Sequence, residues 1–212
     1  MVKTIPAKTI SLYDLENKFN LTLADDDQFF TEWRDDLPTI TDVEKQMLDR
    51  VKRNYLNLNR CRPMLEDLVK MVILSPLLDL ANFYSQDFDI QTEAETELSL
   101  DDEDEIIKGY IDVLTLRENL WILVIESKRT QVDIMSALPQ TLFYMLTNPN
   151  LETIWGFMTN GREFVFLKVS QQTTPKYAYS QAFDIQTREN ELYSVLSILK
   201  RFGQRWVRDW LS

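Results

Sequence analysis

The run GYIDVLTLRENLWILVIESK, Gly109 to Lys128, constrains the fold more than any other stretch. It reads as two apolar strands joined by a turn at Arg117-Glu118-Asn119, with three charges set into the apolar runs: Asp112, Glu126 and Lys128. Strand side chains alternate between faces, so Glu126 and Lys128 share a face with Ile122 and Val124. Leu120 to Ile125 is continuously apolar, the pattern of a strand covered on both sides. Charges at the end of such a strand need a partner or a metal. If the two strands pair as a hairpin, an aspartate, a glutamate and a lysine converge at one spot.

Two readings of that spot fit the pattern. Two carboxylates supply hard oxygen ligands for Mg2+, which keeps several waters and also takes phosphate oxygens. The Ser127 carbonyl would add a further ligand, and Lys128 could hold a water or offset developing charge. In the plainer reading, Asp112 caps a turn and Glu126 with Lys128 is a surface pair at a strand end.

Composition narrows the chemistry. The chain has 212 residues, 44% of them apolar, with few Gly and Pro, as in an ordinary globular protein with a sizeable core. It has no histidine and one cysteine, Cys61, which excludes His-based nucleophile activation, His-metal nucleases and Cys/His zinc sites. A single cysteine permits no internal disulfide and fits a reducing compartment. No phosphate loop of the GxxxxGK[ST] type and no GxGxxG is present. No signal peptide is visible in residues 1–10 and no apolar run reaches membrane-spanning length, so the expected location is cytoplasmic. The net charge of −11 argues against strong nonspecific nucleic-acid binding by the chain alone. The charge is uneven: Ser85 to Glu105 holds ten acids and no base, and Arg50 to Arg62 holds five bases and no acid. The basic stretch is either a face for a phosphate backbone or a solvated helix side.

Taken in order, residues 1–40 read as an N-terminal extension packed on a single domain at 41–212. Leu12 to Leu23 is partly helical in this reading, and Asp25-Asp26-Asp27 caps a short helix through Phe29, Phe30 and Trp33. Thr41 and Glu44 form a capping box, opening a helix with Val43, Met47, Val51, Tyr55 and Leu58 at helical spacing. A second helix spans about Met64 to Ala81, with Leu65, Leu68, Val72 and Leu78 apolar and Glu66 a first-turn acid. Residues 88–100 alternate as a half-exposed strand, turn at Asp101 to Glu105, and return through Ile106 to Leu116, making a three-stranded meander with Leu120 to Lys128. A helix from Ser136 to Thr147 carries Gln140 and Tyr144 on one face. Ile154 to Met158 and Phe164 to Val169 flank Thr159-Asn160-Gly161-Arg162, whose Asn-Gly signals a hairpin. A strand over Tyr177 to Phe183 and an amphipathic helix with Leu192, Val195, Leu196, Leu199 and Phe202 follow, with Trp206 and Trp210 read as core. Strands, a crossover helix and further strands indicate an α/β fold, a central mixed sheet flanked by helices on both faces.

Asp112 followed by Glu126-x-Lys128 at the end of an apolar strand resembles the PD-(D/E)XK nuclease superfamily. Gln140-x-x-x-Tyr144 is similar to the QxxxY motif of a branch that includes RecB-type nucleases and the nuclease domain of type I restriction enzyme motor (R) subunits. Glu66 ahead of Pro76-Leu77-Leu78 and the Thr159-Asn160-Gly161-Arg162 turn resemble the type I branch. Tyr110-Ile111 stands where the superfamily name puts proline, and these 212 residues are expected to be the nuclease-like module alone, without the helicase motor. The resemblance implies a restriction-endonuclease-like core and a metal-dependent deoxyribonuclease. Asp112 and Glu126 would bind Mg2+ (with Mn2+ able to substitute), Glu66 would approach the metal, Lys128 would position water, and Gln140 and Tyr144 would support the site or contact DNA. DNA is the implied partner, with a protein partner or second copy supplying affinity. The competing reading is a catalytically silent nuclease-fold module that binds nucleic acid or protein; RNA as substrate is a third.

Overall fold

The computed structural model describes residues 3–100, 105–117, 120–148, 152–172 and 174–208. Among them nine strands form one mixed sheet, and the predicted meander makes one end of it. Strands β3 (Asp89–Leu100), β4 (Glu105–Arg117) and β5 (Leu120–Ser127) run antiparallel. β6 (Thr153–Thr159) joins β5 in parallel through the crossover helix α5 (Leu138–Leu146). β7 (Glu163–Ser170) pairs antiparallel with β6, and β8 (Lys176–Tyr179) and β9 (Phe183–Asp184) both pair with β7. The turns at 101–104 and 118–119 lie outside the described residues, as do the side chain of Trp206 and all of Trp210.

Helices cover both faces. On one side α2 (Asp42–Asn59) and α6 (Leu192–Arg208) flank a continuous helical run. That run is α3 (Glu66–Val69), a π-helical turn (Lys70–Leu74) and α4 (Ser75–Leu80). Their Val51, Tyr55, Ile73, Leu77 and Phe202 bury against Leu123, Ile125, Phe157 and Phe166. On the other side α1 (Leu12–Lys18) and α5 bury Leu15, Leu142 and Met145 against Val124, Met158, Val165 and Leu167. Leu123, Val124 and Ile125 of β5 are therefore all apolar because both faces of the strand are covered there.

Within residues 3–40, two short strands join the sheet. β1 (Lys3–Pro6) pairs in parallel with the first half of β4, and β2 (Thr22–Leu23) closes the far edge beside β8. β3 occupies one edge of β4 along its length, so β1 and β5 divide the other. The acidic run at Asp25 starts no helix. Asp26 Oδ1 accepts from the Gln28 N–H at 2.8 Å, and Lys168 donates to the Phe29 carbonyl and to buried Glu32, both at 2.7 Å. Polar groups are satisfied by a side chain from β7 instead of by a helical ladder.

The capping box at Thr41 and Glu44 is present, but the buried stripe of α2 is Leu48, Val51 and Tyr55, while Val43, Met47 and Leu58 are exposed. The second helix likewise buries Val69, Ile73, Leu74, Leu77 and Leu78, leaving Leu65 exposed. Its π-helical turn shifts the phase of the apolar stripe midway. The predicted strand from Tyr177 to Phe183 divides in two. Ser180 interrupts it, its N–H donating to the Phe166 carbonyl and its Oγ accepting from the Phe166 N–H.

One irregularity matters for the site. Ile111 packs on the α5 side and Val113, two residues on, packs on the α3 side. Ile90 and Ala94 on β3 show the same change of side. Between them Glu93 adopts φ +52°, a left-handed conformation rare for a residue with a side chain. The β3–β4 register places Glu93 opposite Asp112. The hairpin changes faces at that pair.

Deleting residues 1–10 tests the integral role of the first strand. The deletion uncovers half an edge of β4 and removes buried Ala7 and Ile10. A loss of about 3 kcal/mol or more is expected, lowering Tm by roughly 6–12 °C in calorimetry; an unchanged Tm would return the segment to a dispensable extension.

Candidate active site

Asp112 and Glu126 meet because each is the next residue beyond Val113–Ile125, the last pair of the β4–β5 register. Both are buried, at 7% and 2% exposure. Asp112 Oδ2 accepts from the Ser127 N–H at 2.7 Å and from Ser127 Oγ at 2.9 Å. Its other oxygen, Oδ1, accepts from Lys70 Nζ at 2.8 Å. Glu126 Oε1 accepts from Lys128 Nζ, and Glu126 Oε2 is buried with no hydrogen-bond partner. Each carboxylate thus has its own lysine, one from the helical run and one from the strand end.

α5 completes the far side. Lys128 Nζ also donates to Gln140 Oε1 at 3.2 Å, and Gln140 Nε2 donates to the Tyr144 hydroxyl at 2.7 Å. The Tyr144 oxygen accepts in addition from the Tyr110 backbone N–H. Gln140 and Tyr144 sit one helical turn apart, so a single chain of hydrogen bonds runs from Glu126 to the backbone of β4. Gly109 makes room for it: a Cβ there would lie 2.6 Å from the Ala7 Cβ and 2.7 Å from the Tyr144 ring.

The hairpin at Thr159–Arg162 buttresses the strand end. Lys128 N–H donates to the Thr159 carbonyl at 2.8 Å. Asn160 Oδ1 accepts from the N–H groups of Arg162 and Glu163 at 2.9 and 2.7 Å. Positive φ falls on Gly161, at +80°, and not on Asn160. That is the pattern of a turn with glycine first of the two central residues, not of an Asn-Gly centre. Thr130 then ties the loop after Lys128 to the start of α3, its N–H donating to the Met64 carbonyl at 3.2 Å and its Oγ1 accepting from the Met64 N–H at 3.1 Å.

Of the residues singled out in the sequence, Asp112, Glu126, Ser127, Lys128, Gln140 and Tyr144 come together directly. Glu66 reaches Asp112 only through Lys70, 3.3 Å from its carboxylate. Sequence reasoning missed Lys70 and Glu93, the latter 3.6 Å from the same ammonium. The i,i+4 spacing of Glu66 and Lys70 was the available signal; for Glu93 there was none.

Burial, with the Asp112 charge as the second cause, pushes the Glu126 carboxyl up to about 8. The Lys128 ammonium opposes that rise. Burial likewise raises the Tyr144 phenol to about 12, so the ring is a neutral hydrogen-bonding group. Among the described residues no group of three or more Asp, Glu or Cys side chains is placed to hold a metal. A pair of carboxylates is nonetheless the donor set Mg2+ commonly takes, the remainder being water and phosphate oxygen. The bare Glu126 Oε2 is an acceptor of the hard type such an ion needs.

Residues 9–175 match the family model described as type I restriction enzyme R protein N terminus. The chain belongs to that family. The matched span includes every residue of the site and the Thr159–Arg162 turn, and makes the chain a restriction-enzyme nuclease-type module. Among solved structures the chain is similar to a fragment described as an HsdR subunit of a type I restriction enzyme from Vibrio vulnificus YJ016, at 16% identity and a TM-score of 0.40. The alignment covers 64% of this chain and 26% of that one, so this chain spans about a quarter of that relative. No curated protein sequence matches it. No helix of the described residues is long and apolar enough to cross a membrane.

Two measurements check this geometry. Gly109→Ala forces the Tyr144 ring from its place, and a loss of about 1–3 kcal/mol is expected by urea unfolding. In metal-free protein the raised Glu126 carboxyl favours folding when protonated. That stability is fully present below pH 4.5 and lost as pH rises through about 8. Unfolding at about pH 5 and about pH 9 should show a smaller drop in Glu126→Gln than in wild type; equal drops would mean that Glu126 titrates elsewhere.

Proposed function

We propose that this module is a Mg2+-dependent deoxyribonuclease that hydrolyses phosphodiester bonds of DNA. The observation that carries the reading is the convergence of Asp112, Glu126 and Lys128 at one buried strand end, with a carboxylate oxygen left bare. Asp112 and Glu126 would hold the ion, the Ser127 carbonyl would be a further ligand, and Glu66 would approach the metal, as the type I resemblance implies. Bound there, Mg2+ would lower the pKa of a coordinated water and polarise the phosphorus centre.

The chain's own residues do the rest. Lys128, fixed between Glu126 and Gln140, would position the attacking water and offset charge that develops as the bond breaks. Gln140 holds that ammonium from behind and is itself held by Tyr144. Ser127 fixes the rotamer of Asp112 with two hydrogen bonds, leaving Oδ1 as its outward oxygen.

An acidic chain needs a local basic face to meet DNA. Arg60 and Arg62 at the end of α2, and Arg129 beside Lys128, are exposed. Thr130 brings them together through its bonds to Met64 and its 3.5 Å contact with Asn59. The net charge of −11 favours a partner or a second copy as a further source of affinity.

Cleavage of supercoiled and linear DNA, with Mg2+, Mn2+ or chelator, tests the activity. Metal-dependent cutting is expected, with a loss of roughly 100-fold or more in Lys128→Ala and Asp112→Asn. A folded wild type that neither cuts nor binds Mn2+ in calorimetry would leave the catalytically silent module. Replacing Arg60 and Arg62 by Ala should weaken DNA binding about equally across sequences and lower the salt slope by about 1 per residue; an unchanged slope would exclude this face.

A further inference from the structure

Lys70 is the charged side chain of the site that the proposed chemistry does not use. Its ammonium lies 2.8 Å from Asp112 Oδ1, 3.3 Å from Glu66 Oε1 and 3.6 Å from Glu93 Oε1. Two backbone irregularities meet at this one nitrogen. The π-helical turn begins at Lys70, and Glu93 adopts its left-handed conformation directly across from Asp112. π-Helical turns and strained residues gather at functional sites. Asp112 Oδ2 is already engaged by Ser127, so Oδ1 is the oxygen a metal would take, and Lys70 is seated on it.

We propose that Lys70 is a tethered cation which stands in for the divalent ion: it neutralises Asp112 and Glu66 in the metal-free protein, and it leaves Asp112 when a metal binds. This rests on the metal-site reading above. A divalent ion and an ammonium repel strongly across one shared carboxylate oxygen, so the two occupy Asp112 in turn. Lys70 has a second carboxylate within reach, Glu93, 3.6 Å from its ammonium. Glu93, on the exposed side of the hairpin, can keep the ammonium once Asp112 releases it. The exchange spares the fold an uncompensated buried carboxylate before metal arrives, at the cost of weaker metal affinity.

The test is Mn2+ calorimetry and thermal unfolding on the full chain, wild type against Lys70→Met, which keeps length and removes charge. The expected signature has opposite signs. Metal-free Lys70→Met melts lower than wild type, and its Mn2+ dissociation constant falls about tenfold or more. A purely structural lysine would lower stability without tightening the metal. In wild type, the Lys70 side-chain ammonium signal in 15N NMR should shift and lose its protection from exchange on Mg2+ addition. This measurement decides alone if the variant does not fold, and a signal unchanged at saturating Mg2+ overturns the inference. Wild-type Mn2+ binding with equal or weaker binding in Lys70→Met also overturns it while leaving the metal site standing. Mn2+ binding by neither protein overturns both.

Discussion

A carboxylate at the end of a strand buried on both faces must be neutralised from inside the fold, and the rest of this molecule follows from that requirement. Glu126 sits where β5 leaves the core, with Val124 and Ile125 covered on opposite sides. Asp112 faces it from β4. Two negative charges in a low-dielectric setting repel each other and lose solvation, which is why the Glu126 proton is held so far above the ordinary range. The fold answers with one lysine per carboxylate, delivered from different directions. Lys128 comes from the same strand two residues on, and Lys70 comes from the helical layer across the sheet.

The two helical layers are fastened to the site by polar links, not by apolar packing alone. α5 contributes Gln140 and Tyr144, whose hydrogen bonds end on the backbone of β4. α3 is tied through Met64 and Thr130 to the loop that follows Lys128. The Thr159–Arg162 turn takes the Lys128 N–H and presses Gly161 against Val69 of α3, within 3.0 Å of where a Cβ would stand. A motif that reads as a hairpin marker is therefore also a spacer between the sheet and the helix carrying Glu66.

Much of this was legible in the sequence, and the parts that were not share a cause. The β3–β5 meander, the capped start of α2, the Pro139-led α5 and the order Asp112, Glu126, Lys128 are written in local alternation and spacing, which one chain segment carries by itself. β1 and β2 are four and two residues long and owe their structure to partners about a hundred or more residues away, so they leave no periodic trace. Val43, Met47 and Leu58 have helical spacing as good as Leu48, Val51 and Tyr55; only the neighbouring helix decides which stripe is buried. Glu93 left no signal at all, and the i,i+4 spacing of Glu66 and Lys70 marks an ion pair without its link to Asp112. The roles of Lys70 and Glu93 depend on a π-helical turn and a positive φ, both of which break the periodicities that make sequences readable.

Regular and irregular elements divide the labour at this nuclease-type site. The elements that obey the rules, β4, β5 and α5, place the residues that resemblance already names. The elements that break them place what controls the charge. β3 and β4 change faces together at Glu93 and Asp112, which lets a helix on one side of the sheet reach a carboxylate that otherwise belongs with Val124 and Leu114 on the other. The irregular pair is thus the point at which the helical layer carrying Lys70 reaches the Asp112 carboxylate.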